Sequence, residues 1–538
     1  MNLLPEKQVQ VWGGVECTVN RVGDAYFDQL DQSGHWHRDS DIKMFASLGL
    51  KKMRFPIIWE RHQPHKDVAI DWAGTAKKLN ELRDYNIDVI AGLVHHGSGP
   101  AYVEIMEDSF AIGLAAYAAK VAEQFPWINY YTPINEPLTT ARFCGLYGHW
   151  YPHATSDHTF CRILLNECKA TVLAMEAIRK VNPDAKLVQT DDLAKVHSCP
   201  SLLYQSAFEN DRRWLSFDLL CGHVNENHSL WEYLLAHGMA VKDLEYFIAN
   251  PCPPDIMGVN YYLTSERYLD TQKTLYPVHT HGGNGRHTYA DVEAVRVNNV
   301  RPAGINQLLR EAWERYHIPI AITEVHLHCT REEQMRWLNE IWLAANRINS
   351  NGVSVIAITP WALLGSFGWD KLLKSHGGTY ESGVFDLADG YPRPTILAAM
   401  IRSFSKGEMF FHVVLKEKGW WKRPCRIIYG SKQETEAENH FVQLIAVTGS
   451  QAKQLIVISK KRNLNIPVAI NFDNKMKVIT QAKPDLIIYF HDNQSVKQID
   501  AALDILLDGV LGEWKVDEKG FASQCVKNVL PARCNIAV

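Results

Sequence analysis

A chain of 538 residues is too long for one ordinary core, so a large domain with a smaller companion is expected. Its 46% hydrophobic and 22% charged residues are those of a globular protein, and a net charge of −4 argues against a nucleic-acid partner. No run approaches the ~20 apolar residues of a membrane span, and Met1 to Lys7 lacks an apolar signal core, so the expected place is the cytoplasm, with no membrane partner.

From residue 9 to about residue 405, short apolar runs alternate with helical stretches. Strands are expected at Val9 to Glu16, Lys52 to Trp59, Asp88 to His96, Ile128 to Pro137, Lys186 to Asp192, Asp255 to Tyr262, Ile318 to His326 and Val353 to Leu364. Helices such as Phe110 to Gln124 and Arg331 to Ser350 lie between them. This alternation implies a parallel sheet closed into a (β/α)₈ TIM barrel, the first part of an α/β chain, with its chemistry where the strands end. The pattern stops near Lys406, and the aromatic, basic run Gly419 to Pro424 reads as a docking linker. Beyond it come strand Cys425 to Tyr429, helix Glu434 to Val447, strand Leu455 to Ser459, helix Lys475 to Ala482, strand Asp485 to Phe490 and helix Val496 to Leu507. The expected division is therefore a barrel over residues 1–410, a linker over 411–424 and a small α/β domain over 425–538.

Two of the expected barrel strands run out into a carboxylate. Trp127-Ile128-Asn129-Tyr130-Tyr131-Thr132-Pro133-Ile134-Asn135-Glu136-Pro137 leaves Glu136 between an amide and a proline, and Ile318-Pro319-Ile320-Ala321-Ile322-Thr323-Glu324 ends in the same way. A glutamate at the mouth of a buried strand is either hydrogen-bonded in place or has its pKa raised until it holds a proton. The second state describes a general acid, and a pair of such carboxylates suits glycoside hydrolysis. The sixteen tryptophans offer rings on which sugar faces stack, although core packing accounts for most of them. The eleven cysteines lack the paired short spacings of a zinc site and read as buried thiols in a reducing compartment.

Pro133-Ile134-Asn135-Glu136-Pro137 resembles the T-x-N-E-P motif of the family 1 glycoside hydrolases, with proline in the threonine position, and Ile322-Thr323-Glu324 resembles their I-T-E motif. The resemblance spreads over most of the strand ends in the expected order. It implies a retaining β-glycosidase acting on a carbohydrate, with Glu136 as acid and base, Glu324 as nucleophile, and neither cofactor nor metal. Asn20 lines up with a sugar-binding glutamine, and the nearby Glu16 has no counterpart and reads as a structural ion pair. Met53-Arg54-Phe55-Pro56-Ile57-Ile58-Trp59 is similar to R-F-S-x-x-W, which places Arg54 beside Glu324 and keeps that carboxylate ionised. His95 matches a sugar-binding histidine, with His96 and Gly97 in place of the tryptophan and aspartate of H-W-D. Asn135 matches the residue that contacts the sugar 2-hydroxyl.

Gly258-Val259-Asn260-Tyr261-Tyr262 resembles G-x-N-Y-Y, so Tyr262 is expected to donate to the nucleophile, Asn260 to lie near the acid, and Tyr261 to pack outward. Trp361-Ala362-Leu363-Leu364-Gly365-Ser366-Phe367-Gly368-Trp369 is similar to W-S-L-L-D-N-F-E-W, which puts Trp361 and Trp369 around the glycone. Gly368 replaces the glutamate that grips outer hydroxyls, so a glycone other than plain glucose is expected. His149, Trp150 and Tyr151 are candidates for the leaving-group side. The histidine- and glycine-rich run Tyr276 to His287 reads as an ordinary loop, a substrate lid, or a metal or anion site. Gly97, Val325 and Gly368 also motivate a rival reading, a carbohydrate-binding or regulatory protein with little turnover.

In the last part, Lys483-Pro484-Asp485-Leu486-Ile487-Ile488 resembles the K-P-D-x-x-I strand of sugar-nucleotide reductases of the dTDP-4-dehydrorhamnose reductase type. Tyr429-Gly430-Ser431-Lys432-Gln433-Glu434 has one glycine where a dinucleotide-binding turn needs three, and Glu434 would repel a pyrophosphate. The resemblance implies a degenerate Rossmann-like unit without a cofactor, and a deoxysugar or polysaccharide precursor as a possible substrate class.

Overall fold

The computed structural model describes residues 8–429 apart from position 299, together with Ile458, Arg462 and the backbones of six short strands near the C-terminus. Eight parallel strands close into a barrel: β1 (Gln10–Gly14), β2 (Lys52–Pro56), β3 (Asp88–His95), β4 (Tyr130–Asn135), β5 (Lys186–Asp192), β6 (Ile256–Asn260), β7 (Ile320–Val325) and β8 (Val355–Pro360). Each falls within a run expected to be a strand, and β1 closes the ring by pairing with both β2 and β8. The helices Asp108–Gln124 and Arg331–Ser350 form where the 3.6-residue period placed them.

The barrel interior is plugged by Trp12, Ile90, Val188, Ile256, Ala321 and Ala357, all near the strand starts. That apolar layer leaves the strand ends free to carry polar side chains, whose cost of burial is offset by hydrogen bonds. Two irregularities turn side chains inward there. On β7, Ile322 pairs with Val259 and Glu324 with Asn260, so Thr323 is an extra residue that resets the phase of the strand. On β4, Tyr131 pairs with Leu187 and Asn135 with Thr190, another slip of one residue just before the acid.

The connections after β5 and β6 together add a sheet in the order His281–Gly283, Thr288–Glu293, Arg267–Asp270 and Val196–Ser198, the last of these following β5 and the other three following β6. The His- and Gly-rich run thus contributes a hairpin arm, and it lies outside the wall of the large cavity described below.

The C-terminal part departs from expectation in places. Residues 425–429 form a turn of 3₁₀ helix and a single bridge from Tyr429 to Val297, in place of a strand. The second half of the helix expected over Glu434 to Val447 is the strand Val442–Val447, a short run, apolar but for Gln443, in which period alone does not separate the two forms. Ile458, expected in a strand, is helical. The strand expected at Asp485 to Phe490 is present as Leu486–Tyr489, parallel to Val442–Val447. The Gly430 turn and the helices expected at Lys475 to Ala482 and Val496 to Leu507 lie outside the described residues.

Candidate active site

Glu136 follows β4 directly. It takes a left-handed conformation (φ 48°, ψ 61°) and precedes the short helix Pro137–Ala141, whose first residue is a proline that has no N–H to satisfy. The turn is anchored by the Glu136 backbone N–H donating to the Thr190 carbonyl (3.1 Å) and by Asp191 accepting from the Leu138 N–H (3.1 Å) and the Ser216 hydroxyl (2.7 Å). Asn260 donates its amide to Glu136 Oε1 (2.5 Å) and accepts from the Thr323 hydroxyl (2.6 Å). His96 Nε2 stands 3.8 Å from Glu136 Oε2.

Glu324, at the end of β7, receives two donors: Arg54 Nη1 on Oε1 (2.9 Å) and the Tyr262 hydroxyl on Oε2. The same guanidinium donates through Nη2 to Asn135 Oδ1 (2.6 Å), which also accepts from the Thr190 hydroxyl (2.8 Å). The Asn135 amide faces His95 Nε2 (3.2 Å) and His96 Nε2 (3.4 Å). Arg54 and Asn135 thus form one rigid link between the nucleophile side and the residue beside the acid. Tyr261 points outward as expected, donating to Glu266 (2.9 Å) and packing near Trp337.

Both glutamates open on one cavity of about 740 Å³, together with His95, Tyr262, Trp361 and Trp369. Trp361 stacks on His95 (centroids 5.4 Å apart, planes within 6°), and the Arg54 guanidinium lies 4.5 Å from its ring centre. Asn20 is placed differently from the expectation. Its amide donates to the Leu373 carbonyl (3.1 Å), because the chain after Glu16 enters the hairpin Val19–Val22 and Ala25–Asp28, and it does not line the cavity. Glu16 does line it, accepting from the Trp361 indole (3.0 Å) and from Thr18 N–H (2.9 Å) and hydroxyl (2.6 Å). The expected structural ion pair for Glu16 is therefore corrected: its partners are mainly neutral donors, with His95 Nε2 3.9 Å away. Of the leaving-group candidates, His149 lines the cavity, Trp150 is buried with its indole on the Leu372 carbonyl (2.8 Å), and Tyr151 lies under Arg21.

The departures at Gly368 and Gly97 have local causes. Gly368 has φ +74°, a backbone conformation that a glutamate would adopt only with strain. A Cβ on Gly97 would meet the buried Glu60 carboxylate at 1.9 Å.

Burial pushes both glutamates above the ordinary carboxylate range. For Glu324 it outweighs the pull of Arg54 and Tyr262, so Arg54 lies beside this carboxylate as expected but does not bring its pKa below the ordinary value. For Glu136 the opposing donor is chiefly Asn260. Asp192, at the end of β5, also lines the cavity and is pushed up to about 6, first by burial and then by the charge of Glu136. No sequence motif marks it. His96 is pushed down to about 4 by burial, so it is a neutral imidazole at pH 7. Among the described residues no cluster of three or more His, Cys, Asp or Glu side chains could hold a metal, and no helix is long and apolar enough to cross a membrane. Cys17, Cys144, Cys161, Cys168, Cys199 and Cys252 are buried free thiols.

A TIM barrel with paired, differently hydrogen-bonded glutamates at strand ends, opening on an aromatic-walled cavity, defines a glycoside hydrolase. Residues 20–380 match the model of glycosyl hydrolase family 1, and the chain belongs to that family. It is 23% identical to a phospho-cellobiase of Klebsiella oxytoca, over 66% of this chain and 82% of the relative. It is also 23% identical to an aryl-phospho-β-D-glucosidase of Bacillus subtilis, over 64% of this chain and 81% of the relative. Among solved structures, the β-glucosidase from Thermotoga maritima in complex with deoxynojirimycin shares the fold, with a TM-score of 0.61 and 16% identity over 76% of this chain and 99% of that one.

Proposed function

We propose that this β-glycosidase works with retention of configuration, Glu324 attacking the anomeric carbon while Glu136 protonates the departing glycosidic oxygen. Glu136 then takes a proton from water, which attacks the glycosyl-enzyme ester and frees Glu324. The observation that carries this is the unequal dressing of the two carboxylates. A guanidinium and a phenol favour the anion at Glu324, whereas at Glu136 burial favours the proton and is opposed chiefly by one neutral amide, that of Asn260. Burial makes ionising both costly, so the pair shares a proton, as an acid and a nucleophile must. The site would hold the two carboxyl groups about 5 to 5.5 Å apart across the anomeric centre. Arg54, His95, Asn135, Asn260, Tyr262, Trp361 and Trp369 position the carboxylates and the sugar.

The glycone is other than plain glucose held in the family manner. Gly368 offers no side-chain acceptor, and acceptors come instead from Glu16 and from Glu381, which lines the same cavity beside His326 (2.9 Å). A phosphorylated glycone would meet these carboxylates with like charge, so the preferred glycone is a donor-rich, uncharged sugar. The test is a panel of aryl β-glycosides with different glycones, followed by proton NMR of the first-formed product. The β-anomer is expected; the α-anomer refutes retention, and better turnover of 6-phosphoglycosides refutes the glycone reading.

Residues 425–538 are read as a degenerate Rossmann-like unit beyond a barrel domain ending near residue 410, on the strength of its parallel strand pairs. It binds no dinucleotide in this reading, and titration with NADPH checks that. The buried thiols support a cytoplasmic setting.

A further inference from the structure

The segment after the barrel's last helix, Ile396–Ser405, is strapped across the catalytic end. Trp421 is buried edge-on against Trp337 (5.3 Å), with its indole N–H on Glu340 (3.1 Å). Glu333, near the start of the helix that follows β7, accepts from the Trp420 N–H (3.0 Å), from Arg423 (2.5 Å) and from Arg336 (2.7 Å). Its neighbour Glu332 takes two bonds from the buried Arg462 (2.9 and 2.5 Å). On the other side, the N–H groups of Ile428 and Tyr429 both donate to the Arg296 carbonyl (3.0 and 3.2 Å).

Between these two anchor points sits Trp420. Its ring is half-buried, the Arg296 guanidinium lies 3.8 Å from the ring centre, and both residues line the cavity that holds Glu136 and Glu324. The same wall carries Arg267 paired with Asp291 (2.7 Å) and Arg296 paired with Glu293 (3.3 Å), so the fixed charges around the ring are already matched. What the wall offers a ligand is an aromatic ring clamped at its backbone, at low entropic cost to use. The strap lies beyond residues 20–380, which match the family model.

We propose that Trp420 is the platform of the leaving-group subsite, and that it selects β-glycosides whose aglycone presents a flat or apolar ring face, an aryl group or a second sugar. The proposal rests on the glycosidase reading above. Its test is chosen to fail separately.

Calorimetric binding of two sulfur-linked, unhydrolysable ligands, the 4-nitrophenyl and the methyl β-thioglycoside of the uncharged glycone best accepted in the aryl β-glycoside panel, measures the contribution of the aglycone alone. Full-length wild type should prefer the aryl compound by about three- to tenfold, the range of one aromatic stacking contact. Trp420→Ala should lose that preference and Trp420→Phe should keep most of it. A thio-linked disaccharide of the same glycone in place of the aryl ligand shows whether a sugar uses the same platform. Absence of an aryl preference in wild type, its survival in Trp420→Ala, or an equal fall for both ligands in that variant overturns the proposal. Failure to hydrolyse the oxygen-linked aryl glycosides, with the aryl preference intact, would sink the hydrolytic reading and leave the platform standing.

Discussion

Replacing Tyr262 by Phe removes one of the two side-chain donors on Glu324 and leaves the ring in place. A hydrogen bond to a charged group is worth about 1.5 to 3 kcal/mol. At 1.36 kcal/mol per pH unit, its loss raises the pKa of Glu324 by about one to two units. The sign follows from the role of the group. Glu324 attacks as the anion, the phenol stabilises that anion, and without it the carboxyl holds its proton to higher pH. The acid limb of kcat/KM, which reports the free enzyme, should therefore move up by about one to two pH units. Below that limb the rate should fall about ten- to hundredfold, and well above it the loss should be smaller. The limb of the wild type should already lie above the ordinary glutamate value of 4.5, because burial raises this group. The assay is a full pH profile with an aryl glycoside. An unmoved limb, or one displaced to lower pH, would refute the assignment of Glu324 as the ionised nucleophile.

Arg54→Lys keeps the charge but gives up the fork that joins Glu324 to Asn135. Losing even one charge-assisted bond predicts a fall in kcat/KM of tenfold or more by steady-state kinetics; near wild-type activity would show that the fork is dispensable. Glu60, deep beside Gly97, is pushed up to about 7 by burial, against 4.5 when free. Its folded state binds more protons than its unfolded state between those values, so stability is fully present below about pH 4.5 and declines as pH rises through 7. The Glu60→Gln variant should flatten that decline, by up to about 3 kcal/mol, in urea unfolding curves taken across this range.

The barrel was legible because each strand is a short apolar run bounded by turns, and because Glu136 and Glu324 interrupt such runs with a charge. Tyr262 and Arg54 were legible by motif, and both lie on Glu324. The extra residue Thr323 on β7 was not legible, since a one-residue slip leaves no trace in an apolar pattern. The exchange of roles between Asn20 and Glu16 depends on where the hairpin after β1 begins, a tertiary decision that side-chain type does not announce. Asp192 owes its place on the cavity wall to the end of β5. Trp420 stood in a run recognised as a docking segment, yet the cavity it borders is assembled from many separate stretches of chain, from Glu16 onward, and no local pattern contains that.

The central claim is that Glu324 forms a covalent bond to the sugar. Incubation with a panel of 2-deoxy-2-fluoro β-glycosides carrying activated leaving groups, read by intact mass and peptide mapping, tests it most directly. The account predicts a gain of one fluoroglycosyl group on Glu324, absent from the Glu324→Gln variant. An adduct on Glu136, or turnover of the same glycone series with no adduct at Glu324, would contradict it.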